Sequence, residues 1–409
     1  MKTLYPASVL VLGLAALVVG SASCAESNDQ NSTAPDATTI PGPSTADAGA
    51  SPDASVDIDA ACADAGDGGC TTEVLTCDEA DFCAVPTNAD DRYALTGVWG
   101  SSSNDVWAVG SAGTIVHWDG AAWSLIPSGH RDTLFSVWGS SANDVWISSS
   151  RSVILHSTGL QGGTASFTLE EPLDPGDPTN WMGISVTKVW GTSASNVFVA
   201  GPPGSGWPPN SLWRRRVGFG GDPGANYIWD EASTYCQDYS VACPDANGIW
   251  GASEDDLWVA SNDGKILHSN GPVGNGGSYE QWTTLKTTLT TKNLLGVWGS
   301  SASDVWFVGD EGTIRHWSND PKQRFEIVES NTTEKLRAIW GASANDVWAA
   351  GDNGTIIHWD GTSWTNATAT LPAGPKPRLY AIWGSGPNDV WIVGEAIALH
   401  YTGPKKGSR

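Results

Sequence analysis

The chain has 409 residues, a formal net charge of −24, and 23 tryptophans against two methionines. This length accommodates two or three domains, or one large repeat architecture. The negative charge excludes a nucleic-acid-binding protein, since no basic surface is available to displace counterions from phosphates.

Residues 1–23 have the pattern of an export signal. One lysine precedes an apolar run from Val9 to Val19, which is too short to span a bilayer because a spanning helix needs about 20 apolar residues. The segment ends in "SASC", which resembles a bacterial lipobox with serine at position 21 where that motif prefers leucine. The resemblance implies a lipid anchor on Cys24 and a bacterial cell-envelope lipoprotein, at the outer membrane or cell surface. The alternative is plain secretion with Cys24 as an ordinary thiol.

Residues 24–70 are predicted to be a disordered acidic tether. Between Ala25 and Asp91 there are 15 acidic residues and no Lys or Arg. The first part of this segment has no aromatic residue and too little apolar surface to offset the entropy of ordering. The stretch "CADAGDGGC" lacks the ligand spacing of a calcium loop, so we expect a solvated spacer.

Besides Cys24 the chain has six cysteines, an even number that suits disulfides in an exported protein. Several connectivities are open, and we favour the local pairs Cys62–Cys70, Cys77–Cys83 and Cys236–Cys243. No cysteine spacing resembles a zinc site. We expect neither a metal nor a cofactor.

Residues 95–403 consist of seven copies of one pattern, typified by "LRAIWGASANDVWAAGDNGTIIHWDGTSW". A period of about 40–50 residues made of strands and turns is typical of a β-propeller. We therefore predict an all-β, seven-bladed propeller of four-stranded antiparallel blades, followed by a tail at 404–409. The copies are marked by their first tryptophans: Trp99, Trp138, Trp190, Trp250, Trp298, Trp340 and Trp383.

Each copy predicts four strands, with tight turns at sequences such as "DNG". In the first two strands, apolar residues occupy successive positions and therefore point to both faces of the sheet. Both faces must be buried, and the two neighbouring blades can bury them. The last copy lacks its fourth strand. Within a disulfide-pinned segment at 71–94, residues 82–87 are therefore predicted to supply that strand and close the ring, which removes an exposed sheet edge.

The pattern "DVWAAGDNGTI" followed by "HWDGTSW" resembles the propellers of the photosystem II assembly factor and of the sialidase-type Asp-box (BNR-like) group, and also tectonin-type repeats. The repeat is one residue shorter than the Asp-box and lacks its serine. The resemblance covers Leu95 to about Gly403 and implies the propeller fold. It implies little about activity, because propellers host unrelated functions.

Residues repeated in every copy are interpreted as scaffold. The tryptophans are expected to pack between blades rather than to stack on sugars, since every blade needs a neighbour. The aspartate before each second strand is expected to form a local turn through backbone N–H groups. Third-strand histidines are expected to bond to an acceptor in their own or the next blade, being too far apart to share a metal. They are His117, His156, His268, His316, His358 and His400, with Arg214 in the third copy.

Recognition is expected where the copies differ. One variable side chain from each first strand should ring a mouth of the channel: Thr96, Phe135, Thr187, Asn247, Leu295, Arg337 and Tyr380. The next position is small in every copy except at Lys188. The third copy adds long loops and a basic third strand, and loops on a rigid scaffold commonly carry recognition. The candidate partner surface comprises Phe135, Lys188, Arg337, Tyr380, Trp207, Trp181, Arg214, Tyr235 and Tyr239. The alternative is that these positions vary only because a solvated rim tolerates many residue types.

These patterns indicate a monomeric, non-enzymatic binding or scaffold module on the cell envelope, with the membrane contacted only through the lipid anchor. Its partner would be an unknown protein or glycan at the channel mouth or the third-blade loops. One alternative is a lectin-like glycan-binding propeller. A glycosidase or sialidase-like hydrolase is less favoured. It needs two carboxylates about 5–9.5 Å apart or a nucleophilic tyrosine with arginines, and no non-repeating carboxylate pair stands out, so no catalytic residue is assigned.

Overall fold

The chain divides into two units, Met1–Cys70 and Thr71–Arg409. The computed structural model describes part of the second unit, namely residues 75–150, 153–170, 186–203, 211–217, 227–231, 244–272, 280–285, 287–318, 322 and 325–405. The export signal, Cys24, the tether, and the pairs Cys62–Cys70 and Cys236–Cys243 lie outside the described residues. No helix within the described ranges has the length and hydropathy needed to cross a membrane.

In the described residues, 28 strands form seven four-stranded antiparallel sheets, which are the seven blades of a β-propeller. The first strand of the chain, β1 (Phe82–Ala84), belongs to blade 7. Blades 1 to 3 contain β2 (Leu95–Ser102), β3 (Asp105–Gly110), β4 (Ile115–Trp118), β5 (Trp123–Leu125), β6 (Leu134–Ser141), β7 (Asp144–Ser149), β8 (Ile154–Gln161), β9 (Thr164–Glu170), β10 (Lys188–Ser193), β11 (Asn196–Ala200), β12 (Leu212–Val217) and β13 (Tyr227–Glu231).

The remaining blades continue the same meander and confirm the predicted all-β architecture. They contain β14 (Gly248–Ser253), β15 (Asp256–Ala260), β16 (Ile266–Pro272), β17 (Glu280–Leu285), β18 (Leu294–Ser301), β19 (Asp304–Gly309), β20 (Ile314–Trp317), β21 (Glu326–Val328), β22 (Leu336–Ser343), β23 (Asp346–Gly351), β24 (Ile356–Trp359), β25 (Trp364–Asn366), β26 (Leu379–Gly386), β27 (Asp389–Gly394) and β28 (Ile397–Tyr401).

The ring closes through the N-terminal strand. In blade 7 the strand order is β1-β28-β27-β26, which confirms the predicted closing strand, although it has three residues rather than six. The N–H of Phe82 also donates to Thr368 O at 3.0 Å, so β1 is bonded on its other side to the chain that follows blade 6. A disulfide joins Cys77 to Cys83 beside this strand, the local pairing that the sequence favours.

In blades 1, 4, 5 and 6 the turns between the second and third strands share one geometry. In blade 1 the turn Ser111–Gly113 has positive φ at Ala112 (55°) and at Gly113 (73°), the conformation of the tight hairpin predicted from "SAG". A Cβ on Gly113 would lie 2.0 Å from the carbonyl oxygen of His130. Glycine is therefore required there both by φ and by the link to the next blade, which passes against it.

The second-strand tryptophans fill the interfaces between blades, as predicted. They are at most 3% exposed, and each lies in an apolar cluster with residues of an adjoining blade. Trp107 of blade 1, for example, packs with Val137 and Leu155 of blade 2. Burial of an indole removes about 150–250 Å² from water. The six are Trp107, Trp146, Trp258, Trp306, Trp348 and Trp391, with Phe198 in blade 3.

The first-strand tryptophans are half-buried and line the channel. Each one covers the glycine that follows the equivalent tryptophan in the next blade, so that a Cβ on that glycine would lie 2.5–3.0 Å from the indole. Close approach of the inner strands thus depends on the Trp-Gly pair. The contacts run round the whole ring: Trp99 on Gly139, Trp138 on Gly191, Trp190 on Gly251, Trp250 on Gly299, Trp298 on Gly341, Trp340 on Gly384, and Trp383 on Gly100.

Candidate functional site

Six of the described blades contain the same aspartate–histidine pair. A serine hydroxyl joins it in four of them, and the indole N–H of the second-strand tryptophan in three. In blade 5, Asp304 Oδ1 lies 2.6 Å from His316 Nε2, and the Trp306 indole N–H donates to the same oxygen at 3.1 Å. The hydroxyl of Ser300 donates to Asp304 Oδ2 at 2.5 Å. The imidazole stacks on Trp306 at a centroid distance of 3.9 Å. The equivalent pairs are His117–Asp105, His156–Asp144, His268–Asp256, His358–Asp346 and His400–Asp389.

This cluster corrects the local-turn interpretation of the aspartates. A β-bulge between Gly299 and Ser301 leaves the Ser300 hydroxyl bonded to Asp304, so the carboxylate joins the first, second and third strands instead of capping its own turn. Burial raises the pKa of Asp304, but the hydrogen bonds from His316 and Ser300 together lower it further, and the pKa lies below its usual value. The same balance lowers the pKa of Asp105, Asp144 and Asp389.

Blade 3 replaces the whole cluster at once. Asn196 takes the aspartate position and donates from Nδ2 to Thr192 Oγ1 at 2.7 Å. Arg214 takes the histidine position, with its guanidinium carbon 5.4 Å from the centre of the Phe198 ring. Because the four residues change together while the blade keeps its fold, we interpret the cluster as scaffold rather than as catalytic machinery.

The basic third strand of blade 3 also serves packing. Arg215 is buried, donates to both oxygens of Glu170 at 2.9 and 3.0 Å, and lies 4.7 Å from the centre of the Trp146 ring. It therefore ties blade 3 to blade 2. Arg214, a candidate partner residue, lies on the same strand and is not among the residues that line the channel cavities.

The channel opens at one mouth into a cavity of about 430 Å³. The structure brings four candidate residues together there, Phe135, Lys188, Arg337 and Tyr380, whereas Trp181, Trp207, Tyr235 and Tyr239 lie outside the described residues. A second cavity of about 350 Å³ continues along the first-strand tryptophans. The residues that line the mouth are Ala94, Thr96, Ser111, Phe135, Thr187, Lys188, Asn247, Leu295, Arg337 and Tyr380.

In five blades a β-bulge in the first strand positions the variable residue at the channel mouth. In blade 6 the register passes from Leu336–Gly351 to Ala338–Ala350, which leaves Arg337 as the extra residue. Bulges turn a side chain away from the ladder and are common beside functional sites. The other bulged residues are Thr96, Phe135, Leu295 and Tyr380.

Three of the mouth residues are held by the side chain found 15 positions later, in the turn between the second and third strands. Arg337 forms an ion pair with Asp352, with 3.0 Å between Nη2 and Oδ2. Asn247 donates to Asn262 Oδ1 at 2.7 Å, and the Tyr380 hydroxyl donates to Glu395 at 3.1 Å. The guanidinium of Arg337 also lies 5.3 Å from the centre of the Tyr380 ring. The mouth is thus pre-organised.

The described mouth is lined by apolar, hydroxyl, amide and cationic side chains. Among the described residues that line it there is no carboxylate. Burial, with the nearby charge of Glu395, raises the pKa of Tyr380 despite the opposing effect of Arg378. A raised pKa is the opposite of the lowered pKa that activates a nucleophile, and Glu395, which accepts from the Tyr380 hydroxyl, also lies 3.7 Å from Arg378. No group of three or more potential metal ligands occurs in the described part of the chain.

Comparisons with known proteins agree on the fold. No family model and no curated protein matches the chain. A structure of YCF48 bound to D1 peptide is 18% identical, with a TM-score of 0.57 over 80% of this chain and 96% of that one. YCF48 from Cyanidioschyzon merolae is 17% identical, with a TM-score of 0.57 over 78% and 98% of the two chains.

The WD40 propeller domain of Doa1 is also similar in fold, at 13% identity and a TM-score of 0.56 over 78% of this chain and 96% of that chain. These likenesses confirm, at the level of fold, the resemblance to the photosystem II assembly factor. The chain is a seven-bladed β-propeller.

Proposed function

We propose that the protein is a non-enzymatic scaffold on the cell envelope that binds a protein partner at the channel mouth. The observation that supports this proposal is the convergence of Phe135, Leu295, Arg337 and Tyr380 on one cavity. Aromatic and arginine side chains supply most of the binding energy in protein interfaces. YCF48, which has the same fold, is found with a bound peptide.

Rigidity at the mouth supports a binding role. Arg337 is held by Asp352 and lies against Tyr380, so part of its conformational entropy is already lost before a partner arrives. Such preorganisation lowers the entropic cost of association. The outer strands expose isolated apolar residues such as Leu125 and Ile327, and single exposed residues of this kind do not form an interface.

Site-specific photo-crosslinking in cells that make the protein tests the proposal. We expect a photoreactive phenylalanine analogue in place of Tyr380 to give one dominant protein adduct. The same analogue in place of Leu125, which is exposed on an outer strand, is the matched control and should give none. Adducts of equal pattern from both positions, or none from position 380, would contradict a protein partner. Retention on a glycan array that Phe135→Ala abolishes would instead favour the lectin-like function.

We further propose that the chain is exported and anchored by lipid on Cys24. The support is the apolar run followed by "SASC", together with the acidic linker that separates it from the propeller. In a bacterial host the protein should fractionate with membranes, and Cys24→Ser should release it. Cys62→Ser controls for loss of a thiol and should leave fractionation unchanged. Membrane association of Cys24→Ser would contradict the anchor.

A further inference from the structure

Lys188 breaks the pattern of the inner strands. The position after the variable mouth residue is small in the other six blades, where it is Gly97, Ser136, Gly248, Gly296, Ala338 or Ala381. Small residues fit because the next blade is close: a Cβ on Gly97 would lie 2.9 Å from Cα of Ser136. Packing therefore explains six of the seven residues and gives no reason for a lysine in the third blade.

Lys188 lines the channel mouth, and no anionic partner for it occurs in the part of the chain that the structure describes. Lys188 lines both channel cavities, together with Phe135, Leu295 and Tyr380, which provide an apolar wall. Burial, and then repulsion by Arg337, lower the pKa of Lys188. A charged group in such surroundings is costly unless it is paired.

Arg337 is the second cation of the mouth, but its charge is already shared. Its guanidinium pairs with Asp352 and lies against the Tyr380 ring. Of the two cations that line the mouth, Lys188 is therefore the one without a counter-charge among the described residues. A ligand anion placed between the two side chains would offset the burial of Lys188 and its repulsion by Arg337 together. Lysine and arginine both form charge-assisted hydrogen bonds to carboxylates.

We propose that Lys188 and Arg337 form a binding site for a carboxylate attached to an apolar group. The carboxylate accepts hydrogen bonds from Lys188 Nζ, and the apolar group packs against Phe135, Leu295 and Tyr380. The cavity of about 430 Å³ falls within the range of about 300–1,000 Å³ usual for small-ligand pockets. A free organic acid and the end of a polypeptide both carry this chemistry. The site does not require the protein partner proposed above.

Acylation of the lysines of the full chain, followed by mass spectrometry, measures the state of Lys188 directly. The pH midpoint for acylation of Lys188 should lie below that of Lys376, an exposed lysine that does not line the mouth. We expect 3-phenylpropionate to slow Lys188 acylation at least tenfold and 3-phenylpropionamide, which lacks the negative charge, to leave it unchanged. Equal protection by acid and amide, or protection by neither, overturns the proposal.

Substitutions of Lys188 distinguish the effect of its charge on binding from an effect on folding. Lys188→Met should weaken 3-phenylpropionate binding, measured by saturation-transfer NMR, at least tenfold, whereas Lys188→Arg should keep it within about threefold. Lys376→Met is the control and should change nothing. If Lys188→Met is unfolded, the acylation result decides. Slow acylation of Lys188 in the free protein would mean that a carboxylate of this chain already pairs it, which also overturns the proposal.

The same assay distinguishes the source of the carboxylate. Acetyl-Ala-Ala-Phe with a free carboxylate is compared with 3-phenylpropionate. Protection at lower concentration by the peptide indicates a polypeptide end as ligand, and protection at lower concentration by phenylpropionate indicates a free organic acid. Either result supports the site. Since no partner protein is present, failure here leaves the crosslinking test of the proposed function untouched.

Discussion

At the scale of single residues, the repeated aspartate shows how a group with catalytic character serves the fold. Asp304 receives a hydroxyl, an indole N–H and an imidazole within 3.1 Å, which uses most of its acceptor capacity. Serine, histidine and aspartate together invite comparison with a hydrolase. In such a triad the histidine lies between the other two, whereas here the carboxylate does. The serine–aspartate–histidine arrangement occurs in four described blades, since Ala252 and Ala342 replace the serine in blades 4 and 6.

Removal of this carboxylate should destabilise the propeller. Asp304→Ala leaves Ser300, Trp306 and His316 without their common acceptor. Ser300 is exposed, but Trp306 is buried and His316 half-buried, and a buried donor without a partner costs about 1–3 kcal/mol. We expect the free energy of unfolding in urea to fall by at least about 2 kcal/mol in total. Glu329→Ala, which removes an exposed carboxylate of the same blade, is the control and should be neutral. Equal stability of the two variants would contradict the role given to the cluster.

These carboxylates also predict a pH dependence. Their pKa is lowered in the folded protein, while in the unfolded chain an aspartate has a pKa of about 3.9. Their contribution to stability is therefore complete above about pH 4 and is lost as the pH falls through the folded pKa. The difference in stability between the protein and Asp304→Asn should shrink below pH 4. A difference independent of pH would show that the carboxylate is not the stabilising species.

At the scale of strands, the Trp-Gly pair determines how closely two blades approach. Trp298 of blade 5 lies where a Cβ on Gly341 of blade 6 would be 2.6 Å from its ring. The glycine thus provides the space that the indole fills, and the inner strands can come together only because one of the two residues has no side chain.

A single methyl group should therefore separate two blades. Gly341→Ala places its Cβ against the indole and 2.9 Å from Asp346 O, and overpacking of this kind costs about 1–3 kcal/mol. Gly386→Ala is a matched control in blade 7, because a Cβ there would meet nothing within 4 Å. Thermal unfolding should show a lower Tm for the first variant alone. If both variants keep the Tm of the parent, the Trp-Gly contact does not set blade spacing.

At the scale of the whole molecule, stability depends on closure of the ring. Phe82, on the short strand β1, is fully buried between Trp348 of blade 6 and Tyr401 of blade 7, with ring centroids 5.2 and 5.4 Å apart respectively. Residues about 320 positions apart in sequence are joined in this way, so the two ends of the propeller depend on one aromatic side chain.

Phe82→Ala should open this junction. Truncation of a buried phenylalanine typically costs about 3–5 kcal/mol, so we expect a loss of that order in the free energy of unfolding. Faster amide exchange should appear first in β28. Leu125→Ala, on the outer strand of blade 1 and 55% exposed, should be nearly neutral. Uniform exchange throughout the molecule in Phe82→Ala would contradict a local junction.

The sequence predicts the fold well because the copies share one pattern of apolar residues and turns. The closing strand could be predicted from the missing fourth strand of the last copy. The role of Asp304 could not, because its partners Ser300 and His316 come together only across three strands. The bulge that positions Arg337 was not predictable either, since a one-residue insertion leaves no distinct sequence signal. Pairing of each mouth residue with the residue 15 positions later becomes visible only once the blades are aligned in space.

In the proposed division of roles, the repeated residues form the scaffold and the variable residues form the binding surface. The most direct test measures affinity for the crosslinked partner and the free energy of unfolding together, in Tyr380→Ala and Gly341→Ala. We expect Tyr380→Ala to lose at least tenfold in affinity with stability nearly unchanged, and Gly341→Ala to lose stability while its folded fraction binds normally. The opposite pattern, with affinity lost in Gly341→Ala and retained in Tyr380→Ala, would contradict the account.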